Sequence, residues 1–192
     1  MCTRFYLDSE APELAPFIHA VAISPLSQKF INAGHPVLTS GEIHPTNVVP
    51  TVAWGRKGKS AVFPMQFGFH LSNSLLLNAR SETAGEKTTF RESWASHRCI
   101  IPASYYFEWD AEKQKHSIHP AQGNIIYLAG LYRIETGLPH FVILTQTPSE
   151  SVEHIHDRMP VILPREVAGA WIMPSENLSE IIKAAISDLI TT

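Results

Sequence analysis

The residue with the most chemistry to offer is Cys2, because removal of Met1 would leave it carrying an α-amine and a thiol on adjacent carbons. The small side chain at position 2 permits that removal. An α-amine titrates near ~7.7–8.0 and a thiol near ~8.5, so part of each is nucleophilic at neutral pH. Such a 1,2-aminothiol can acylate through sulfur, or condense with an aldehyde to an imine that the thiol closes into a five-membered thiazolidine. The plain alternative is a cysteine in a loose chain end.

Two further groups could move protons. Glu108 sits between Phe107 and Trp109 at the end of an aromatic run, where burial would raise its pKa towards neutrality; the same alternation would also arise from a strand whose Glu faces water. His156, in His154-Ile155-His156-Asp157-Arg158-Met159-Pro160, is of the residue type that most often serves as general acid or base. The His-x-His spacing also fits a pair of metal ligands on one strand face, but further Cys or His ligands at matching spacing do not follow, so no metal and no other cofactor is expected. In Asn78-Ala79-Arg80-Ser81-Glu82-Thr83, alternation should send Asn78, Arg80 and Glu82 to one side. Arg80 offers a planar fork for a phosphate, or pairs with Glu82 at the surface.

The elements that must position these groups can be read coarsely. Residues 9 to 34 form two short helices, restarted at Pro25 and stopped at Gly34. Val48 to Trp54, the turn Gly55-Arg56-Lys57-Gly58 and Ser60 to Phe69 make strand, hairpin and strand. Leu75 to Arg80 is a buried strand, and Phe90 to Trp94 lie in a helix. Cys99 to Pro102, Tyr105 to Trp109, Asn124 to Tyr132 and His140 to Thr145 are strands. Leu178, Ile181, Ile182, Ala185 and Leu189 form the apolar stripe of a C-terminal helix, with Asn177 and Glu180 as its cap. The fold class is α+β, one domain over residues 1–192, a curled, barrel-like, mostly antiparallel sheet with helices packed outside.

Composition narrows the function classes. The 192 residues are 44% hydrophobic, enough for a sizeable core, and a net charge of −3 argues against a non-specific coat on duplex DNA. Within that acidic chain, Arg56, Lys57, Lys59, Arg80, Lys87, Arg91 and Arg98 are opposed only by Glu82, Glu86 and Glu92, as a groove for nucleic acid would be. Trp54, Phe67, Phe69 or Tyr106 could stack on unpaired bases there, or belong to the core. Two cysteines in unlike contexts and the lack of a signal or membrane-spanning run suit a reducing, cytoplasmic compartment, nucleoid-associated if bacterial. With no apolar helix face left over, a monomer is expected.

Taken in order, Met1-Cys2-Thr3-Arg4, Gly41-Glu42-Ile43 to Pro45-Thr46-Asn47, Asn78 to Thr83, Arg98-Cys99-Ile100-Ile101-Pro102-Ala103, Phe107-Glu108-Trp109, Ala129-Gly130-Leu131 and His156-Asp157-Arg158-Met159-Pro160 resemble the SRAP (SOS response-associated peptidase) family, whose members recognise abasic sites in single-stranded DNA. The resemblance implies that Cys2 is the nucleophile of a thiazolidine DNA–protein crosslink and that Asn78 orients the terminus. It further implies that Glu108 shuttles protons, and that His156 opens the sugar ring and handles the imine. It also implies lyase-type cleavage at the imine stage, a peptidase activity limited to Met1, and Arg4, Arg80 and Arg158 on flanking phosphates. The chain departs from the family pattern in having Thr3 where Gly is usual, and Phe67-Gly68-Phe69-His70-Leu71 where a Trp-Gly-Leu stretch and longer loop are usual. Two other readings of the residues stay open: a Cys2 amidohydrolase acting through an acyl-enzyme with His156 as base, and a non-catalytic single-strand binding module.

Overall fold

Short strands and tight turns dominate because β-branched and aromatic residues are concentrated between Gly41 and Leu163, with helix-forming segments outside that range and at Thr88–Ser96. The computed structural model describes residues 2–55, 57–174 and 177–192; the removal of Met1 and the place of Arg56 in its turn lie outside the described residues. β1 (Arg4–Leu7) precedes α1 (Ala15–Ala22) and α2 (Pro25–Asn32). The second of these helices begins as its sequence dictates, with Ser24 Oγ accepting from the Leu26 N–H and Pro25 in the first turn. Then come β2 (Gly41–Ile43), β3 (Val48–Trp54), β4 (Ser60–Phe67), β5 (Phe69–Leu71), β6 (Ser74–Leu76) and β7 (Asn78–Arg80). After α3 (Thr88–Ser96) follow β8 (Arg98–Ala103), β9 (Tyr105–Trp109), β10 (Lys115–Pro120), β11 (Ile126–Glu135) and β12 (Leu138–Gln146). The chain ends with β13 (Met159–Pro160), β14 (Ile162–Leu163), α4 (Arg165–Ile172), α5 (Leu178–Lys183) and β15 (Leu189–Thr191).

Five strands close a barrel in the order β12-β4-β3-β8-β11, and β11 pairs back onto β12. All contacts around it are antiparallel except β12 with β4, where His140 faces Gln66 and Phe141 faces Phe67. Closure removes free edges; the β3–β4 and β11–β12 turns are short, whereas the β4–β8 and β8–β11 connections carry further strands and α3. Gly130 is required where β11 runs between β8 and β12. A Cβ there would lie 2.7 Å from Ile101 Cδ1 and 2.8 Å from the Val142 carbonyl oxygen.

A second sheet, β15-β10-β9-β1-β2, covers one side of the barrel. The two sheets are joined at Ser104, between β8 and β9, whose N–H donates to the Tyr6 carbonyl. Phe5, Leu7, Tyr106 and Ile118 from this sheet share a core with Val49, Met65, Phe67, Leu128 and Phe141 of the barrel. A separate core under α3, α4 and α5 gathers Phe69, Phe90, Leu131, Leu144 and Trp171.

Three sequence expectations need correction. The strand expected over Ser60 to Phe69 breaks at Gly68, where φ is +111° and a Cβ would lie 2.8 Å from Leu75, so the chain turns into the small β5–β6 ribbon. The strand expected over Leu75 to Arg80 is divided at Leu77 between that ribbon and β7. The C-terminal helix stops at Lys183: Leu178, Ile181, Ile182 and Ala185 pack under the helices, whereas Leu189 enters the other core in β15, opposite Pro120.

Candidate active site

Four elements bring together residues far apart in sequence. Cys2 lies just ahead of β1, a strand held between β2 and β9, with Arg4 opposite Phe107 and Phe5 opposite Tyr106. Its side chain is fully buried, and its Sγ lies 3.9 Å from the Arg4 carbonyl oxygen. Asn78 opens β7, which the barrel delivers by parallel pairing of Asn78 with Ile143 of β12. Its Nδ2 donates to the Cys2 carbonyl at 2.9 Å, bridging 76 residues of sequence.

Glu108 is the fourth residue of β9 and only 3% exposed. Burial pushes its carboxyl above the usual range, with the nearby His156 ring acting the other way. Burial likewise pushes the Cys2 thiol up, and the Glu108 charge adds to that shift. The alternative of a strand glutamate facing water is therefore set aside: the carboxylate is buried, near enough to the thiol for its charge to act on it.

His156 follows the turn before β13. Its Nδ1 lies 3.0 Å from the Arg158 N–H and 2.8 Å from Asp157 Oδ1. A neutral ring accepts from Arg158, and a protonated ring donates to Asp157, so both charge states have a partner at the same nitrogen.

Around this pocket the three arginines differ. Arg80 is exposed and forms no ion pair with the described residues. Arg4 pairs with Glu42 at 3.0 Å and lies over the Trp109 ring. Arg158 forks onto both oxygens of Glu82 at 2.8 Å and donates to the Thr145 carbonyl at 2.7 Å. That fork holds the Glu82 carboxyl below the usual range. The alternative of an Arg80–Glu82 surface pair is thus set aside, because Glu82 pairs with Arg158 and Arg80 faces solvent.

Phe67 and Phe69, expected to stack on bases, are fully buried. Phe67 stacks on Phe141 with centroids 5.0 Å apart inside the barrel, and Phe69 packs on Phe90 beneath the Arg133 guanidinium. Removing such rings from water is worth more to the fold than a surface position can return, so neither can contact DNA. Tyr106 is also buried.

The basic stretch does not form one face. Arg98 is buried and donates to the carbonyls of Trp94, Ala95, Trp171 and Met173, closing the ends of α3 and α4. Lys57 and Lys59 line a cleft of about 630 Å³ with Trp54, Tyr132 and Pro139. That cleft lies at the Leu138 end of β12, some ~16 Å of strand from Ile143 and Asn78.

Among the described residues one trio could offer three metal-binding atoms together, His70, Glu135 and His140, a grouping the sequence reading missed. Glu135 is already committed to Arg133 Nε at 2.7 Å and to the His70 N–H and ring, while His140 Nδ1 faces the Gly68 carbonyl at 3.2 Å. The trio ties the β5–β6 ribbon to the β11–β12 hairpin. Neither His154 nor His156 belongs to it.

Known proteins place this geometry in context. An "Abasic site processing protein YobE" of Bacillus subtilis is 40% identical over 111 residues, covering 53% of this chain and 51% of that protein. An "Abasic site processing protein YedK" of Escherichia coli is 34% identical over 119 residues, covering 58% and 54%. The aligned region thus spans about half the length of these relatives. In fold, the chain is similar to a phage-related protein of Bordetella bronchiseptica, with a TM-score of 0.74 at 22% identity over 100% of this chain and 93% of that one. A protein from Bacteroides thetaiotaomicron gives a TM-score of 0.73 at 23% identity, covering 99% and 90%. The sequence model described as "SOS response associated peptidase (SRAP)" matches residues 1–191, so the chain belongs to the SRAP family.

Proposed function

We propose that this protein captures abasic sites in single-stranded DNA through Cys2 after Met1 is removed. The observation that carries this reading is the buried pocket in which Asn78 grips the Cys2 carbonyl while the thiol shares its surroundings with Glu108, itself close to His156. The burial of Cys2 is that of the chain with Met1 still attached, and capture requires its removal. The relatives named for abasic-site processing support the choice of substrate.

The chemistry balances without a cofactor. The ring-opened abasic sugar presents an aldehyde; the Cys2 amine adds to its carbon, and loss of one water gives an imine. The thiol then adds across the C=N bond: sulfur bonds to carbon, and the S–H proton ends on nitrogen, giving a thiazolidine. Glu108, with a raised pKa, carries protons to the departing water and from the sulfur. His156, with partners for both of its charge states, serves as acid or base in opening the sugar. From the imine, the C2′ proton passes to His156 as base, its electron pair forms a C2′–C3′ double bond, and the C3′–O bond breaks to release the 3′ phosphate, which is lyase-type cleavage. The same pocket supports a peptidase role limited to release of Met1. Arg80 is free to take a flanking phosphate, and Arg4 and Arg158 can do so by exchanging Glu42 and Glu82 for it.

The test is direct. Purified protein is mixed with a single-stranded uracil oligonucleotide pretreated with uracil-DNA glycosylase and run under denaturing conditions. A band that survives, that is lost in Cys2→Ala and that is kept in Cys99→Ala supports covalent capture. Salt-sensitive binding without any such band would leave a non-catalytic binding module in its place.

A further inference from the structure

We propose that Tyr106 is a positioning residue for the nucleophile, its hydroxyl being the donor reserved for the Cys2 sulfur as that sulfur sheds its proton. This rests on the reading of Cys2 given above. Tyr106 is 0% exposed, yet its Oη has no hydrogen-bond partner among the described residues. A buried hydroxyl left so costs stability. The core does not need it: Phe5 and Ile118, the residues opposite on β1 and β10, are apolar and would accept a phenylalanine ring equally. The explanation therefore lies in the pocket rather than in packing.

Alternation along β9 puts the side chains of Tyr106 and Glu108 on one face. Burial pushes the phenol up from its ordinary value, and Cys2 and Glu108 are both near enough that their negative charges add to that. The phenol thus stays protonated wherever the protein works, and remains a donor. Among the described residues no donor to the sulfur is seen. The Arg4 carbonyl is an acceptor that suits the S–H, and the Glu108 carboxylate opposes any charge on sulfur. In ring closure the S–H proton passes to the imine nitrogen while sulfur bonds to carbon. Negative charge grows on sulfur along the way, and a neutral O–H aimed at it lowers that barrier without adding charge to the pocket.

Tyr106→Phe in the full chain tests this with three readouts. The first is single-turnover crosslinking to the glycosylase-treated oligonucleotide. The second is iodoacetamide alkylation of Cys2 from neutral to alkaline pH, read by peptide mass so that Cys99 is separated. The third is melting temperature with oligonucleotide affinity. The expected result is crosslinking slower by about tenfold or more and an alkylation midpoint about one pH unit higher, the equivalent of that tenfold. Affinity should be unchanged and melting equal or higher. An unmoved midpoint overturns the proposal, as does a slower reaction accompanied by lower melting and weaker binding. Should the native chain form no crosslink, the reading of Cys2 fails, and the alkylation midpoints still decide the role of Tyr106 at the sulfur.

Discussion

Replacing Asn78 with alanine removes the hydrogen bond by which the barrel holds the nucleophile, the 2.9 Å bond from Nδ2 to the Cys2 carbonyl. A neutral hydrogen bond of this kind contributes about 0.5–1.5 kcal/mol net, and a carbonyl left partly buried without a partner costs about 1–3 kcal/mol. Part of that cost is relieved by letting the chain end swing towards water, which is what should damage the reaction. Misplacement of a reacting group by ~1 Å can cost about 100-fold. Asn78→Ala is therefore expected to crosslink about 10- to 100-fold more slowly while melting only ~2–6 °C lower, since 1 kcal/mol moves a domain of this size by ~2–4 °C. Asn78→Asp keeps the shape but swaps the donor for a carboxylate facing the Cys2 carbonyl, and is expected to be at least as slow. The assay is single-turnover crosslinking at saturating protein, with oligonucleotide affinity measured in parallel. Crosslinking by Asn78→Ala within about twofold of the native rate would refute the positioning argument, because ~0.4 kcal/mol is less than the bond should contribute.

Other consequences follow from the same geometry. Burial raises the Glu108 carboxyl above the value near ~4.3 that it has unfolded; between those values the folded chain holds the extra proton, so stability falls as pH rises and stays lower above the interval. Glu108→Gln should thus melt higher than the native chain at neutral pH, with the difference vanishing below pH ~4, while crosslinking slows about 100-fold or more; a lower melting point at neutral pH would mean that the carboxylate stabilises the fold. Arg80→Ala should weaken binding to undamaged single strands and reduce the salt slope of log affinity by about 0.7, the share of one phosphate; an unchanged slope would remove Arg80 from the DNA contact. Arg98→Ala strips one cation from four carbonyls at the ends of α3 and α4 and should cost about 3–5 kcal/mol by chemical denaturation; a loss under about 1 kcal/mol would contradict the buried role.

Much of this was legible in the sequence, and the rest was not, for identifiable reasons. The period-2 aromatic pattern around Glu108 and the glycine-bounded strand pairs marked the sheet, because alternation and turn chemistry are local. Closure of the barrel was not local: β12 must pair with β11 through a hairpin and with β4 and β7 in parallel, and no spacing encodes that. Cys2, Asn78, Glu108 and His156 could each be suspected from residue type and motif, but the Asn78 contact with Cys2 spans 76 positions and exists only after closure. Phe67, Phe69 and Arg98 misled for a shared reason: composition cannot tell a ring or cation on the surface from one enclosed by strands and helices that lie far away in the chain. Residue type alone left Tyr106 either a stacking or a core aromatic, and the signal overlooked was its i, i+2 relation to Glu108 on a strand.

The most direct measurement is the intact and peptide mass of the denatured product formed with glycosylase-treated single-stranded DNA. The account predicts an N-terminal peptide that begins at Cys2, lacks Met1 and carries the sugar residue with the loss of one water. A product still bearing Met1, or a DNA adduct on any peptide other than the one containing Cys2, would contradict it.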